Sequence, residues 1–264
     1  MTDLTSARTQ LAPRPTGRAI PADAVRVWRG FRSPAMALPD FFDRLNTVFI
    51  PATVRMQLDA GLDGYLPAVP AGLPGKPDTV PDETAILFWD SPQTYTDAFK
   101  TLAVRTYTLT HAAVYAPGSR ADFPVPYAGE VVADQPYHLS DEPADWMHGT
   151  VWHLLGGCPP GIASADFLGS VAGALTARQR AGGFAGAIAC AGADYLAYWE
   201  LRTDVPPGTA PDAAFQAVGA ALGWRHAAPA APTPIDHGLW EQWPGLSVGS
   251  GDALNTQFVR RWER

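Results

Sequence analysis

The sequence predicts an α+β fold made of two copies of one β-α-β-β-α plan. Three observations carry this: matching residue groups recur in the same order in both halves, β-rich runs alternate with helix-spaced apolar stripes, and prolines gather at the seams. Val27-Trp28-Arg29 is answered by Val151-Trp152-His153, and Asp40-Phe41-Phe42 by Asp166-Phe167-Leu168. Gly61-Leu62-Asp63-Gly64 is answered by Gly183-Phe184-Ala185-Gly186, Phe88-Trp89-Asp90 by Tyr198-Trp199-Glu200, and Ala98-Phe99 by Ala214-Phe215. The 26 prolines cluster in loops because proline brings no N–H to a helix or ladder. They divide the chain into a flexible leader (1–24), a first lobe (25–116), a connector (117–147) and a second lobe with an irregular C-terminal stretch (148–264).

In the first lobe, 25–31 reads as a strand, and a helix follows from Pro39 with Phe41, Phe42, Leu45, Val48 and Phe49 at helical spacing. Pro51 breaks or kinks it, and Gly61 ends its continuation. Strands are expected at 62–69 and 84–89, then a helix with Ser91 as cap and Pro92 at its first position. Its first apolar stripe is Tyr95, Ala98, Phe99, Leu102, Thr106 and Leu109, and Val104, Tyr107, His111 and Tyr115 form a second on the opposite side. A helix of that kind is covered twice. In the second lobe a strand at 150–155 precedes a helix capped by Ser164 and ended by Gly182-Gly183. A hairpin of 184–191 and 195–201 turns at Gly192-Ala193, and a helix at 211–222 is closed by Gly223. A further strand after each second helix completes a ferredoxin-like β-α-β-β-α-β unit, with 127–133 and 255–262 as candidates.

Two tandem ferredoxin-like units, with a W-[DE] ending at Trp89-Asp90 and Trp199-Glu200, resemble the dimeric α+β barrel superfamily. The resemblance spans about 25–262 and rests on topology and duplication, not on a diagnostic motif. It implies that the two antiparallel sheets pack face to face into an internal α+β barrel. The superfamily includes antibiotic-biosynthesis monooxygenases, polyketide cyclases, haem-degrading enzymes and the chlorite dismutase group. The resemblance therefore implies a small-molecule enzyme on a hydrophobic, aromatic or polyketide-like substrate, working by oxygenation or proton-transfer cyclisation. No cofactor is expected, with a haem oxidoreductase or lyase as the alternative, and a non-enzymatic small-molecule-binding or interaction protein as the third reading.

Candidate site residues follow from strand alternation. Arg29 and His153 occupy equivalent places in apolar strands, where a polar group is costly unless partnered. His153 is the expected acid/base and Arg29 the expected stabiliser of an anion or enolate; solvated strand edges are the plain alternative. Trp28, Trp152 and Tyr107 are the expected substrate-binding residues, although recurring aromatics are more often core. His111 is the cofactor-binding candidate, and His111 or His153 the axial ligand if haem is held.

Composition sets limits. With 19 basic against 26 acidic residues the net charge is −7, which speaks against a nucleic-acid binder. No apolar run reaches a membrane-spanning length, the leader has no secretory apolar block, and the two cysteines read as reduced thiols, so a cytoplasmic protein is expected. The expected partner is a hydrophobic small molecule, with neither nucleic acid nor membrane, in a monomer (a pseudo-dimer) or a homodimer. Gly245-Leu246-Ser247-Val248-Gly249 matches a nucleophile-elbow pattern but lacks the strand before and the helix after. No residue set has metal-ligand spacing, and none is assigned to a metal.

Overall fold

The computed structural model describes residues 19–45, 49, 53, 61–62, 64–146, 148–206, 208–234 and 255–260. The expected kink at Pro51 and the Gly245–Gly249 pattern lie outside the described residues. Lobe 1 consists of β1 (Val25–Gly30), α1 (Leu38–Arg44), β2 (Gly64–Val69), β3 (Glu83–Phe88), α2 (Pro92–Ala98), α3 (Leu102–Thr110) and β4 (Arg120–Asp122). The connector adds β5 (Val125–Pro126) and β6 (Pro136–His138). Lobe 2 consists of β7 (Thr150–Gly157), α4 (Ser164–Ala181), β8 (Gly186–Ala191), β9 (Tyr195–Arg202), α5 (Ala213–Val218) and β10 (Trp224–Pro234), and β11 (Asn255–Arg260) follows.

The strand order β4-β1-β3-β2 in lobe 1 is repeated as β10-β7-β9-β8 in lobe 2, antiparallel throughout. The closing strands differ from the sequence expectation. Arg120–Asp122, not 127–133, completes lobe 1, and β10 completes lobe 2. β11 instead pairs antiparallel with β2 and parallel with the last four residues of β10, linking the two sheets. β6 extends lobe 2 beyond β8, so the connector supplies strands to both lobes.

One apolar core lies between the sheets: Val25, Val27, Leu66, Ile86 and Phe88 from lobe 1 meet Val151, Leu155, Ile188, Ala197 and Trp199 from lobe 2. The opposite face of each sheet packs on its own helices, with Phe41, Trp89 and Tyr107 in lobe 1 and Trp152, Phe167 and Phe215 in lobe 2. Trp89 and Trp199 therefore point to opposite faces and are not structural equivalents. The registers explain this: Trp28 stands opposite Ala85, whereas Trp152 stands opposite Glu200. An odd offset between the matched motifs flips the side-chain face.

Arg29 and His153 both fall in the inter-sheet layer, each 0% exposed. Arg29 donates from Nη1 to the Val27 carbonyl at 2.8 Å, and from Nη2 to Asp122 at 2.8 Å and to the Asp134 carbonyl at 2.9 Å. It ties β1 to the connector, and Asp134 in turn accepts from the Tyr195 hydroxyl at 3.1 Å. His153 lies flat on Trp199, 4.8 Å between centroids, with Nε2 3.4 Å from Thr84 Oγ1. Burial holds its pKa down, from 6.5 to about 3.

A neutral imidazole in this layer makes the fold acid-sensitive. Above pH 6.5 folded and unfolded His153 are both neutral, and the stability is complete. As the pH falls from there toward about 3, only the unfolded chain takes the proton, and stability is lost. The loss due to this residue is about 3 kcal/mol by pH 4. Urea melts from pH 7 to 4 are expected to show His153→Leu with a pH dependence flatter by that amount; an unchanged dependence would contradict the assignment.

Candidate active site

The site is built on the helix-facing side of lobe 1. Alternation sends Arg26, Trp28 and Gly30 of β1 to that side, with Glu83, Ala85 and Leu87 of β3 and Tyr65 of β2 beside them. Gly30 is required here: a Cβ would stand 2.7 Å from Tyr115 Cε1 and 2.8 Å from Trp28 Nε1. Its absence lets both rings reach Glu83. Trp28 Nε1–H donates to Glu83 Oε2 at 2.9 Å, the Tyr65 hydroxyl to Oε1 at 2.8 Å, and the Tyr115 hydroxyl also to Oε2. Glu83 is 1% exposed, and among the described residues no cation pairs with it. Burial raises its pKa, outweighing the three donors that favour the carboxylate.

Helix α3 covers this face. The single helix expected after Ser91 is two. Ser91 caps α2 by accepting from Thr94 N at 3.1 Å, and after turns at Lys100 and Thr101 a new cap, Thr101, accepts from Val104 N at 3.4 Å. The break changes which stripe is buried. Val104, Tyr107 and Tyr115 are in the core, while Leu102 and Leu109 of the expected first stripe are 81% and 78% exposed. His111 follows α3 in a 3₁₀ turn. Its Nδ1 is 3.1 Å from the Thr108 carbonyl, which can only accept, so Nδ1 carries the hydrogen and Nε2 the lone pair. Trp28, Phe49 and Tyr107 stand edge-on around the imidazole at 5.3, 4.7 and 4.9 Å. This burial lowers its pKa to about 4, so it is neutral at pH 7.

Between α3, α2 and β1 lies a cavity of about 590 Å³ lined by Arg26, Trp28, Tyr95, Tyr107, His111 and Tyr115 among others. A narrow adjoining pocket of about 30 Å³ shares Arg26, Trp28, Tyr107 and His111 and reaches Glu83, Tyr65 and Thr53. Arg26 lies at the opposite end of the β1 face from Glu83. Its guanidinium stacks 3.9 Å over the Tyr95 ring and donates to the Ala121 carbonyl at 3.0 Å. Burial lowers its pKa, against the pull of Tyr95 and Asp122.

Three of the sequence candidates meet here: Trp28, Tyr107 and His111. Trp152 occupies the matching face of lobe 2, packed edge-on against Phe215 at 5.4 Å with its Nε1–H on the Thr209 carbonyl. Arg29 and His153 line neither cavity, being one strand position out of phase with it. Glu83, Tyr65 and the open Arg26 were not singled out from sequence. The signal available was a glutamate opening an apolar strand in phase with Ala85 and Leu87.

Lobe 2 carries similar charges in a closed form. Glu200, fully buried beside Trp152, accepts from Arg178 Nε and Nη2 at 2.8 and 2.7 Å and from the Tyr198 hydroxyl at 2.7 Å. Arg202, 4.9 Å over the Trp152 ring, is paired with Asp204 and Asp212, each at 2.7 Å. Lobe 2 thus neutralises these charges internally, whereas among the described residues Glu83 and Arg26 of lobe 1 have no ion-pair partner, Arg26 lining the cavity and Glu83 the narrow pocket beside it.

Among the described residues no three potential ligands gather for a metal ion. His153, enclosed against Trp199 in the inter-sheet core and lining neither cavity, does not fit an axial haem ligand. Among the described residues no helix is long and apolar enough to cross a membrane.

No family description matches the chain, and no curated protein is similar to it at a significant level. Among solved structures it is similar to a candidate monooxygenase from Lactobacillus acidophilus NCFM, with 7% identity and a TM-score of 0.32, covering 78% of this chain and 91% of that one. It is also similar to a candidate monooxygenase from Fusobacterium nucleatum, with 10% identity and a TM-score of 0.32, covering 81% and 92%. An anthrone oxidase-like protein gives 13% identity and a TM-score of 0.34, covering 80% and 93%. At these identities and scores the likeness bears on neither substrate nor reaction.

Proposed function

We propose that the chain is a small-molecule enzyme that removes a proton from a flat, hydroxylated aromatic or polyketide-like substrate in the lobe 1 cavity, with Glu83 as the base. Its frame is two ferredoxin-like units closed into an internal α+β barrel; the repeated strand order and the core shared by the sheets support that architecture. The observation that carries the function is Glu83 itself, a buried carboxyl held by three neutral donors, without a paired cation among the described residues, in the narrow pocket that adjoins the aromatic cavity. A carboxyl with a raised pKa is a stronger base than an ordinary one. His111, held to about 4, is a weaker one, and its Nε2 lone pair is suited to accepting a hydrogen bond that orients a substrate hydroxyl. Trp28, Tyr107 and Tyr95 provide the faces for the rings.

Proton removal from such a substrate leaves an enolate or phenolate. That anion can attack an electrophilic carbon of the same molecule, closing a ring while Glu83 returns the proton to the new alkoxide, or it can react with dioxygen, one oxygen atom entering the substrate as a carbonyl and the other leaving as water. Incubation with a panel of fused-ring phenols and enolisable polyketide analogues, followed by mass spectrometry under air and under argon, separates them. Product in air alone marks oxygenation, and product under both gases marks cyclisation. No product from any member would overturn the enzymatic reading in favour of a ligand-binding protein.

A further inference from the structure

Arg26 lines the lobe 1 cavity and Glu83 the narrow pocket that adjoins it, and among the described residues neither has an ion-pair partner. Arg26 and Glu83 lie on the same sheet face, Glu83 opposite Gly30 and Arg26 four residues back along β1. That places their backbones about 13 Å apart, with the Trp28 ring between them. Among the described residues Arg26 has no carboxylate within ion-pair distance; Asp122, whose charge acts on it, is bound at 2.8 Å to Arg29 and at 2.8 Å to Arg120. Stacking on Tyr95 fixes the guanidinium plane, and among the described residues a single donor is used, on the Ala121 carbonyl. The remaining donors form a planar fork on the cavity wall, the geometry that matches a carboxylate. An arginine on the helix-facing side of lobe 2 shows what a closed arrangement looks like: Arg202, 4.9 Å over the Trp152 ring, has its fork filled by Asp204 and Asp212.

We propose that Arg26 is an anion subsite, and that the substrate of lobe 1 is an aromatic acid whose carboxylate docks on Arg26 while its hydroxyl end points toward Glu83. This rests on the lobe 1 cavity being the substrate site and names the substrate class that site takes. The ring system lies over Trp28, and the charged end fixes which hydroxyl meets the base.

The probes are 6-hydroxy-2-naphthoate, which carries both ends, and 2-naphthol, which lacks the carboxylate. Affinities are read by calorimetry at low and at physiological salt. The native protein is expected to bind the acid at least about tenfold more tightly than 2-naphthol, a preference that weakens with salt. Arg26→Gln is expected to abolish the preference while leaving 2-naphthol binding in place. Arg26→Lys, which keeps the charge but not the fork, is expected to retain part of it. Equal affinities in the native protein, or a preference that survives Arg26→Gln, would overturn the anion subsite while leaving the cavity reading standing. Failure of both probes to bind the native protein would overturn the cavity reading and the subsite together.

Discussion

Glu83→Gln is expected to lower turnover by about 10²- to 10⁴-fold, the range associated with loss of a positioned general base, in a protein that remains folded. Gln keeps the shape and one acceptor oxygen, so Trp28 and one tyrosine retain their hydrogen bonds. The other tyrosine hydroxyl can accept from the new amide. Because the native carboxyl is buried without a paired cation among the described residues, removing its charge is expected to leave stability within about 1 kcal/mol of native, or to raise it. Activity and stability therefore separate at this position. The pH profile gives a second check. Activity requires the ionised form, so it is lost as the pH falls through a pKa that burial has raised above the usual carboxylate range. Native-like turnover in Glu83→Gln would show that another group, with His111 the nearest candidate, takes the proton.

The buried carboxylate of lobe 2, Glu200, is expected to behave in the opposite way. Arg178→Ala strands Glu200, which is 0% exposed, with the Tyr198 hydroxyl and a more distant Arg202, 3.6 Å away. Breaking a buried pair by removing one partner costs about 3–5 kcal/mol. Urea or thermal melts are expected to show a loss of that size, partly recovered in Arg178→Ala/Glu200→Gln, where no charge is left alone. A loss under about 1 kcal/mol would show that Glu200 does not depend on Arg178. The contrast of cheap charge removal at Glu83 and costly pair-breaking at Glu200 is what separates a reserved site from a structural one.

Much of the frame could be read from the sequence because it rests on local signals. Ser91-Pro92 opens α2, Gly182 at positive φ ends α4, and the V-W-[RH] runs become β1 and β7. The closing strands were harder to place, since the pairing of β11 with β2 and β10 is long-range and leaves no local trace. Of the sequence candidates, Trp28, Tyr107 and His111 line the cavity, and Arg29 and His153 do not. On β1 the arginine that the repeat singles out, Arg29, lies on the face between the sheets, where Asp122 and the Asp134 carbonyl hold it. The cavity opens on the other face, at Arg26 and Trp28. Periodicity gives the alternation but not which side is filled. Tyr107 and His111 were legible as part of a helix stripe, and Trp28 as a tryptophan repeated in both lobes; that they meet was not. Glu83 was not, because its character comes from Tyr65 and Tyr115, which meet it only in the folded sheet.

The central claim, that lobe 1 binds substrate on its helix-facing side and lobe 2 does not, is tested most directly by the indole N–H resonances of the nine tryptophans. In ¹⁵N-tryptophan-labelled protein titrated with 6-hydroxy-2-naphthoate, the Trp28 signal, assigned by its loss in Trp28→Phe, is expected to shift, because its N–H sits on Glu83 and its ring lines the cavity. Trp152, whose N–H is held by Thr209, is expected to stay in place, as is Trp199 in the inter-sheet core. A stationary Trp28 with shifts at Trp152 or Trp199 would contradict the account and move the site to lobe 2 or to the space between the sheets.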